Sequence, residues 1–288
     1  MAKQFLSEVA FYITNACGMA CEGCVTFNNY ILKGHSDWTV SKDRINKWSE
    51  IVNIEKIVIL GGEPFLHPHL TTWTSGIKDA FKDCNSIRVV TGLTGEKLLR
   101  HKDTARQCIE NGVAVQISVH DPSWWEESEK TAETILEGLE YTKEHTTDGG
   151  NFPLRLTNYK DTNGNILFAL LELWSFFPSA QKEIKDGVMY LHNNDPEEAH
   201  AACLCKFQQY IVDGYLYKCA VTSIADTLIN QMPLDEHSEK LLSEVKGIDP
   251  YDNPTLDFSY AIPQCSLCSV KMNNLIPIYP IDVKKPKI

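Results

Sequence analysis

The chain has 288 residues, 43% hydrophobic and 23% charged, with a formal net charge of −11. That length allows a sizeable core in one large domain or two. The acidic balance argues against a broad grip on duplex nucleic acid, which needs clustered Lys and Arg. The basic tail of Lys284, Lys285 and Lys287 reads as a solvated terminus. The longest apolar stretch, Ile166 to Phe177, is broken by Glu172 and is too short to span a bilayer, so no membrane association is expected. No basic-then-apolar export pattern opens the chain. Ten cysteines in such a sequence point to metal rather than disulfides, and to a reducing cytoplasm.

In chain order, Val9 to Ile13 reads as a strand, and the loop after it carries Cys17, Cys21 and Cys24 in the run Cys-x3-Cys-x2-Cys. Three thiolates at this spacing can hold three corners of a cubane [4Fe–4S] cluster and leave the fourth iron open. They could also hold zinc with one remote ligand, or be thiols without function. Ser41 can cap a helix through Trp48. Ile57 to Leu60 has a buried-strand pattern and ends in Gly61, Gly62, Glu63 and Pro64, where two glycines let the backbone approach a ligand closely. Read alone, that run is a turn capped by proline.

His69 to Phe81 reads as a helix, Ile87 to Val90 as a strand, and Glu96 to Glu110 as a helix ended by Gly112. Val113 to Val119 is the next strand, followed by a long helix from Trp124 to Glu144 that Asp148, Gly149 and Gly150 terminate. Leu154 to Thr157 and Val188 to Leu191 bring the strands to six. Repeated βα units of this size predict parallel strands with helices outside, an α/β fold.

The last third holds Cys203, Cys205, Cys219, Cys265 and Cys268. Between them, residues 207–221 form two alternating strands joined at Asp213-Gly214, a hairpin signal. A helix from His237 to Val245 leads on to the Cys-x2-Cys pair. Four of these thiolates could close a cluster or hold a structural zinc ion. Cys84 and Cys108, at helix ends, read as small buried hydrophobes.

The cysteine run and the Gly-Gly-Glu-Pro run together resemble the signatures of the radical S-adenosylmethionine (SAM) enzymes. The resemblance implies a partial (β/α)6 barrel over residues 1–195, with ligands at the C-terminal strand ends. It implies that the open iron binds SAM and that an electron from the cluster releases a 5′-deoxyadenosyl radical, with the cofactor carrying the chemistry. By the same resemblance Gly61, Gly62, Glu63 and Pro64 meet the SAM amino group, and Ser118 its ribose or carboxylate. Thr91 and Arg155, with Thr157 and Asn158, are further strand-end candidates for SAM contacts. His120, Asp121 and His192 are candidates for a general base at the barrel mouth. Each such polar residue can equally be a turn or a cap. The residue before the third cysteine is usually aromatic in the family and packs beside the adenine. Here it is Gly23, so Phe27 or Tyr30 would supply that surface, or backbone would hold the adenine.

Ala199 to Val270 is similar to the Twitch extension, a short form of the SPASM domain. The resemblance implies a small α+β domain over residues 196–288 holding a second, auxiliary [4Fe–4S] cluster. By this resemblance Cys219, Cys265 and Cys268 are the candidate ligands, with Cys203, slightly preferred, or Cys205 as the fourth. The implied activity is hydrogen abstraction from a small polar metabolite such as a sugar, aminocyclitol or nucleotide, in an oxidation or rearrangement. A flavodoxin- or ferredoxin-like protein would be the one-electron reductant. A peptide- or protein-modifying enzyme is the alternative, and a non-catalytic iron–sulfur or zinc protein the third reading.

Overall fold

The computed structural model describes residues 3–21, 23–147, 155–173, 175–176, 180–203, 205–270 and 276–277. The expected turn at 148–150, Leu154 and the basic tail lie outside them. A nine-stranded sheet organises the chain. Its centre is β1 (Gln4–Tyr12), β2 (Val52–Leu60), β3 (Ser86–Thr91) and β4 (Ala114–Val119), all parallel. Beyond them lie β5 (Thr142–Thr147), β6 (Arg155–Lys160) and β7 (Ile166–Glu172), and β7 runs parallel to β4. The short strands β8 (Ser175–Phe176), β9 (Gln181–Lys185) and β10 (Val188–Leu191) are outside the main sheet. The other edge is the hairpin of β11 (Gln208–Val212) and β12 (Tyr215–Tyr217), and β11 pairs parallel with β1.

The sheet therefore has six parallel strands, in the order β11, β1, β2, β3, β4 and β7. Two expected members are replaced. Residues 155–160 run antiparallel between β5 and β7, and Val188 to Leu191 forms a separate antiparallel pair with β9. Strand β7 takes the central place because it is apolar on both faces, as a doubly covered parallel strand requires. The architecture is a mixed α/β core followed by a small C-terminal α+β part. The sheet continues through the boundary expected at residue 195.

Helices α1 (Trp38–Ile51), α2 (Leu70–Ala80), α3 (Gly95–Leu99), α4 (Lys102–Glu110) and α5 (Trp125–Leu136) connect the central strands. The cap of α1 is Asp37, whose side chain accepts from Thr39 N; Ser41 sits inside the helix and donates to Asp37 O. The helix expected from Glu96 to Glu110 is broken at Arg100-His101 into α3 and α4. The long helix expected to reach Glu144 stops at Leu136. Gly138 takes φ +80°, which no helix accommodates, and Thr142–Thr147, with three threonines, pairs with β6 instead.

Trp48 is fully buried on α1 and donates from Nε1 to Gly214 O at 2.9 Å, tying the N-terminal layer to the C-terminal hairpin. After α6 (Pro196–Ala202), helices α7 (Ala220–Ser223), α8 (Ala225–Gln231) and α9 (Glu236–Ser243) enclose a second apolar cluster around Tyr12, Phe27 and Leu228. No helix among the described residues is long and apolar enough to cross a membrane.

Candidate functional site

The C-terminal ends of β1 to β4 and β7 meet over a cavity of about 180 Å3. Cys17, Cys21 and Cys24 line it, together with Gly61, Gly62 and Glu63 from the end of β2. Thr91, Ser118 and His120 complete its polar wall. The cysteine loop is held in place by backbone. Gly62 N donates to Thr14 O and Glu63 N to Ala16 O, each at 2.7 Å. The two glycines are needed for this approach, since a Cβ on Gly61 would meet Thr14 Cγ2 at 2.8 Å and one on Gly62 would meet Cys17 Cβ at 2.8 Å. Their bareness thus serves the cysteine loop first. The loop's far side is braced by Asn28, which donates to Tyr12 Oη at 2.9 Å and Thr26 Oγ1 at 2.8 Å.

Gly23, where the family pattern has an aromatic residue, adopts φ +72°. Any side chain there would be strained, so the turn into Cys24 explains the departure. Phe27 and Tyr30 do not replace the aromatic surface at the cavity. Both are buried in the second apolar cluster because Phe27 also turns through positive φ, at 56°. Apolar cavity walls come instead from Met19, Val25, Leu60, Val90, Leu173 and Tyr210. Sequence reasoning missed Met19, Asn28, Leu173 and Tyr210. Leu173 could have been found as the residue ending an apolar strand.

Glu63 is 1% exposed and spans two strand ends, accepting from Phe65 N at 3.1 Å, Thr91 Oγ1 at 2.9 Å and Gly92 N at 3.1 Å. Burial pushes its carboxyl up to about 7, against those hydrogen bonds, which lower it. The folded state holds this proton more tightly than the unfolded chain. Its contribution to stability is complete below the ordinary carboxyl value of 4.5 and is lost as pH rises through about 7. The parent should therefore lose roughly 3 kcal/mol relative to Glu63→Gln between acid and mildly alkaline pH. Denaturant unfolding of the iron-free proteins across that range measures it; parallel pH curves would contradict it.

His120 is buried, and its Nδ1 lies 2.9 Å from Leu173 O. That carbonyl can only accept, so Nδ1 carries the proton and Nε2 presents its lone pair. Burial lowers the imidazole pKa and keeps it neutral, which suits a base. The other base candidates are placed elsewhere. Asp121 accepts from Ser123 N and Oγ as a turn cap, and His192 follows β10; neither lines the cavity. Arg155 is exposed, with its guanidinium 4.2 Å over the Trp125 ring. Thr157 and Asn158 are on the antiparallel β6, and Pro64 starts a short 3-10 turn.

A second cavity is lined by Cys203, Cys219, Cys265 and Cys268, with His200, Lys206 and Lys218. Cys219 precedes α7, and Cys265 Sγ accepts from Ile262 N at 3.5 Å. Cys205 lies beside Cys203 and Cys219, which raise its thiol pKa after burial does, but it is not part of this lining. Among the described residues no group of three or more His, Cys, Asp or Glu could hold a single metal ion. The donor set is all-thiolate around a void, and His200 Nε2 is buried there without a hydrogen-bond partner. Four thiols with no carboxylate among the lining residues fit a thiolate-held cluster.

Residues 8–134 match the family model of the 4Fe-4S single cluster domain. No curated protein matches the sequence. Among solved structures, anSMEcpe with bound AdoMet is 16% identical at a TM-score of 0.33, covering 46% of this chain and 40% of its own. BtrN in complex with AdoMet and 2-DOIA is 13% identical at 0.49, covering 99% and 98%. Streptococcus suis SuiB bound to precursor peptide SuiA is 12% identical at 0.29, covering 46% and 37%. The chain thus spans less than half the length of anSMEcpe and of peptide-bound SuiB, and nearly all of BtrN. The matched iron–sulfur span, less than half of the chain, contains both the cysteine loop and the Gly-Gly-Glu-Pro turn that line the first cavity.

Proposed function

We propose that the chain binds a [4Fe–4S] cluster through Cys17, Cys21 and Cys24 and uses SAM to abstract hydrogen from a substrate held above β3, β4 and β7. The observation that carries this reading is the single cavity joining those thiols to Glu63, Thr91, Ser118 and His120. When bound, the cluster and SAM supply a 5′-deoxyadenosyl radical, and a C-terminal cluster supplies an acceptor for the second electron. The Glu63 carboxylate and the carbonyls of Gly61 and Gly62 present acceptors to the SAM ammonium. Ser118 donates to its ribose or carboxylate. His120 Nε2 takes the proton that leaves the substrate radical as it is oxidised. Met19, Leu173 and Tyr210 give the adenine and substrate an apolar wall that excludes water. An external one-electron reductant of flavodoxin or ferredoxin type completes the cycle.

Two substrate classes are represented among the similar structures, a precursor peptide with SuiB and 2-DOIA with BtrN. We place a peptide or protein substrate first and a small polar metabolite second. Deuterium transfer into 5′-deoxyadenosine from labelled peptides and labelled polar metabolites separates them. Label arriving only from metabolites overturns the peptide reading, and label from neither overturns both.

The ligands of the C-terminal cluster are proposed as Cys203, Cys219, Cys265 and Cys268, because these four share one cavity. Reconstituted parent protein should carry about eight irons, from two cubanes. Cys203→Ala should lower this to about four, and Cys205→Ala should leave it unchanged. The reverse pattern in an iron assay would move the fourth ligand to Cys205.

A further inference from the structure

Lys218 is the residue immediately before Cys219, and its side chain lines the C-terminal cysteine cavity although it is only 8% exposed. Its ammonium donates to Phe258 O and Tyr260 O, each at 2.6 Å. An ammonium has three protons, so one remains after these two bonds. Among the described residues Lys218 forms no ion pair with a carboxylate. The ammonium also lies 5.3 Å from the centroid of the Tyr260 ring, and a buried cation is costly unless a counter-charge lies nearby. The Asp257 carboxylate lies within its field on the side of a neighbouring cavity, and on the side of the cysteines its field acts on Cys265. His200 lines the same cavity at 9% exposure; its ring bonds the Phe258 backbone, and Nε2 is buried without a partner.

We propose that Lys218 and His200 are positioning residues that raise the reduction potential of the cluster held by Cys203, Cys219, Cys265 and Cys268, and so make it the electron acceptor. The inference rests on the reading that this cavity holds a cluster. Four thiolates give a [4Fe–4S] cluster a net negative charge that grows by one on reduction. A fixed cation in a poorly solvated position stabilises the reduced form more than the oxidised one. Hydrogen bonds to cluster sulfur act in the same direction, and both are among the means by which a protein sets such potentials. The ammonium supplies the charge, and a His200 proton shifted from the Phe258 backbone to Nε2 when the cluster binds would find its acceptor in a cluster sulfur.

The test uses the full chain with Cys17, Cys21 and Cys24 replaced by alanine, so that only the C-terminal cluster reports. Redox titration followed by electron paramagnetic resonance then compares Lys218→Met, Lys218→Arg and His200→Phe with that parent. Lys218→Met should lower the midpoint, with the equilibrium constant for electron uptake falling roughly tenfold, about 59 mV for one electron. Lys218→Arg should largely restore it. His200→Phe should move it the same way by less. Unchanged midpoints at unchanged iron content overturn the proposal. If Lys218→Met does not assemble its cluster, the His200→Phe midpoint decides the outcome. Loss of iron in His200→Phe alone would make that residue a ligand and overturn its role as donor. A parent that binds no iron, or zinc alone, would instead remove the cluster reading beneath the inference.

Discussion

Replacing Cys24 with alanine is expected to reduce 5′-deoxyadenosine release from SAM and dithionite to background, with iron falling from about eight to about four per chain. Three thiolates are the minimum that holds a cubane and leaves one iron for SAM, so removing one costs the site its cluster. The structure argues that the loss is specific. Cys24 Sγ meets Thr26 Oγ1 at 3.5 Å, a weak contact, and Thr26 keeps its bond from Asn28 Nδ2 at 2.8 Å when the thiol is gone. The Tyr12–Asn28–Thr26 brace therefore survives, and thermal unfolding of the iron-free variant should match that of the iron-free parent. The assay needs the anaerobically reconstituted full chain and chromatography of the nucleoside. Persistent 5′-deoxyadenosine would remove Cys24 from the cluster.

The same brace shows what was legible in the sequence. Strands β1 and β2, each followed by a loop that lines the cavity, could be read because an apolar run ended in residues with their own chemistry. Thr91, Ser118 and His120 followed from the rule that ligands collect at strand ends. Strand β7 escaped as a strand because Ile166–Glu172 is buried on both faces and has no alternation to separate it from a helix. The strand Thr142–Thr147 was hidden in a helical expectation that only Gly138, at positive φ, contradicts. The pairing of β11 with β1 joins residues about two hundred positions apart, which no local pattern encodes. Tyr210 reaches the cavity lining through that pairing, so it was illegible for the same reason. Arg155 does begin β6 level with the end of β7, since Leu156 pairs with Leu171, but its strand lies one place beyond the cavity and its guanidinium stacks on Trp125.

Gly62→Ala should be strongly damaging although it leaves every proposed cluster thiol in place. The added Cβ would fall inside van der Waals contact of Ala16 O and 2.8 Å from both Ala16 C and Cys17 Cβ. All three atoms belong to the cysteine loop's backbone or to the base of a ligand side chain, so rotating a side-chain end cannot relieve the clash. The loop must move away from β2, and the 2.7 Å bonds from Gly62 N to Thr14 O and Glu63 N to Ala16 O go with it. Overpacking of this kind costs roughly 1–3 kcal/mol. The larger consequence is geometric, because displacing Cys17 by an ångström breaks the three-point holding of a cluster. The variant should fold with lowered stability, retain about four irons and release no 5′-deoxyadenosine. Gly92→Ala is the control. Its Cβ would meet the end of Met19, Cε at 2.7 Å and Sδ at 2.9 Å, and His120 Nε2 only at 3.3 Å. A flexible thioether can turn aside where a backbone carbonyl cannot. Gly92→Ala should therefore keep its full iron content, and equal iron loss in the two variants would show that the contact between Gly62 and the cysteine loop is not what positions the cluster.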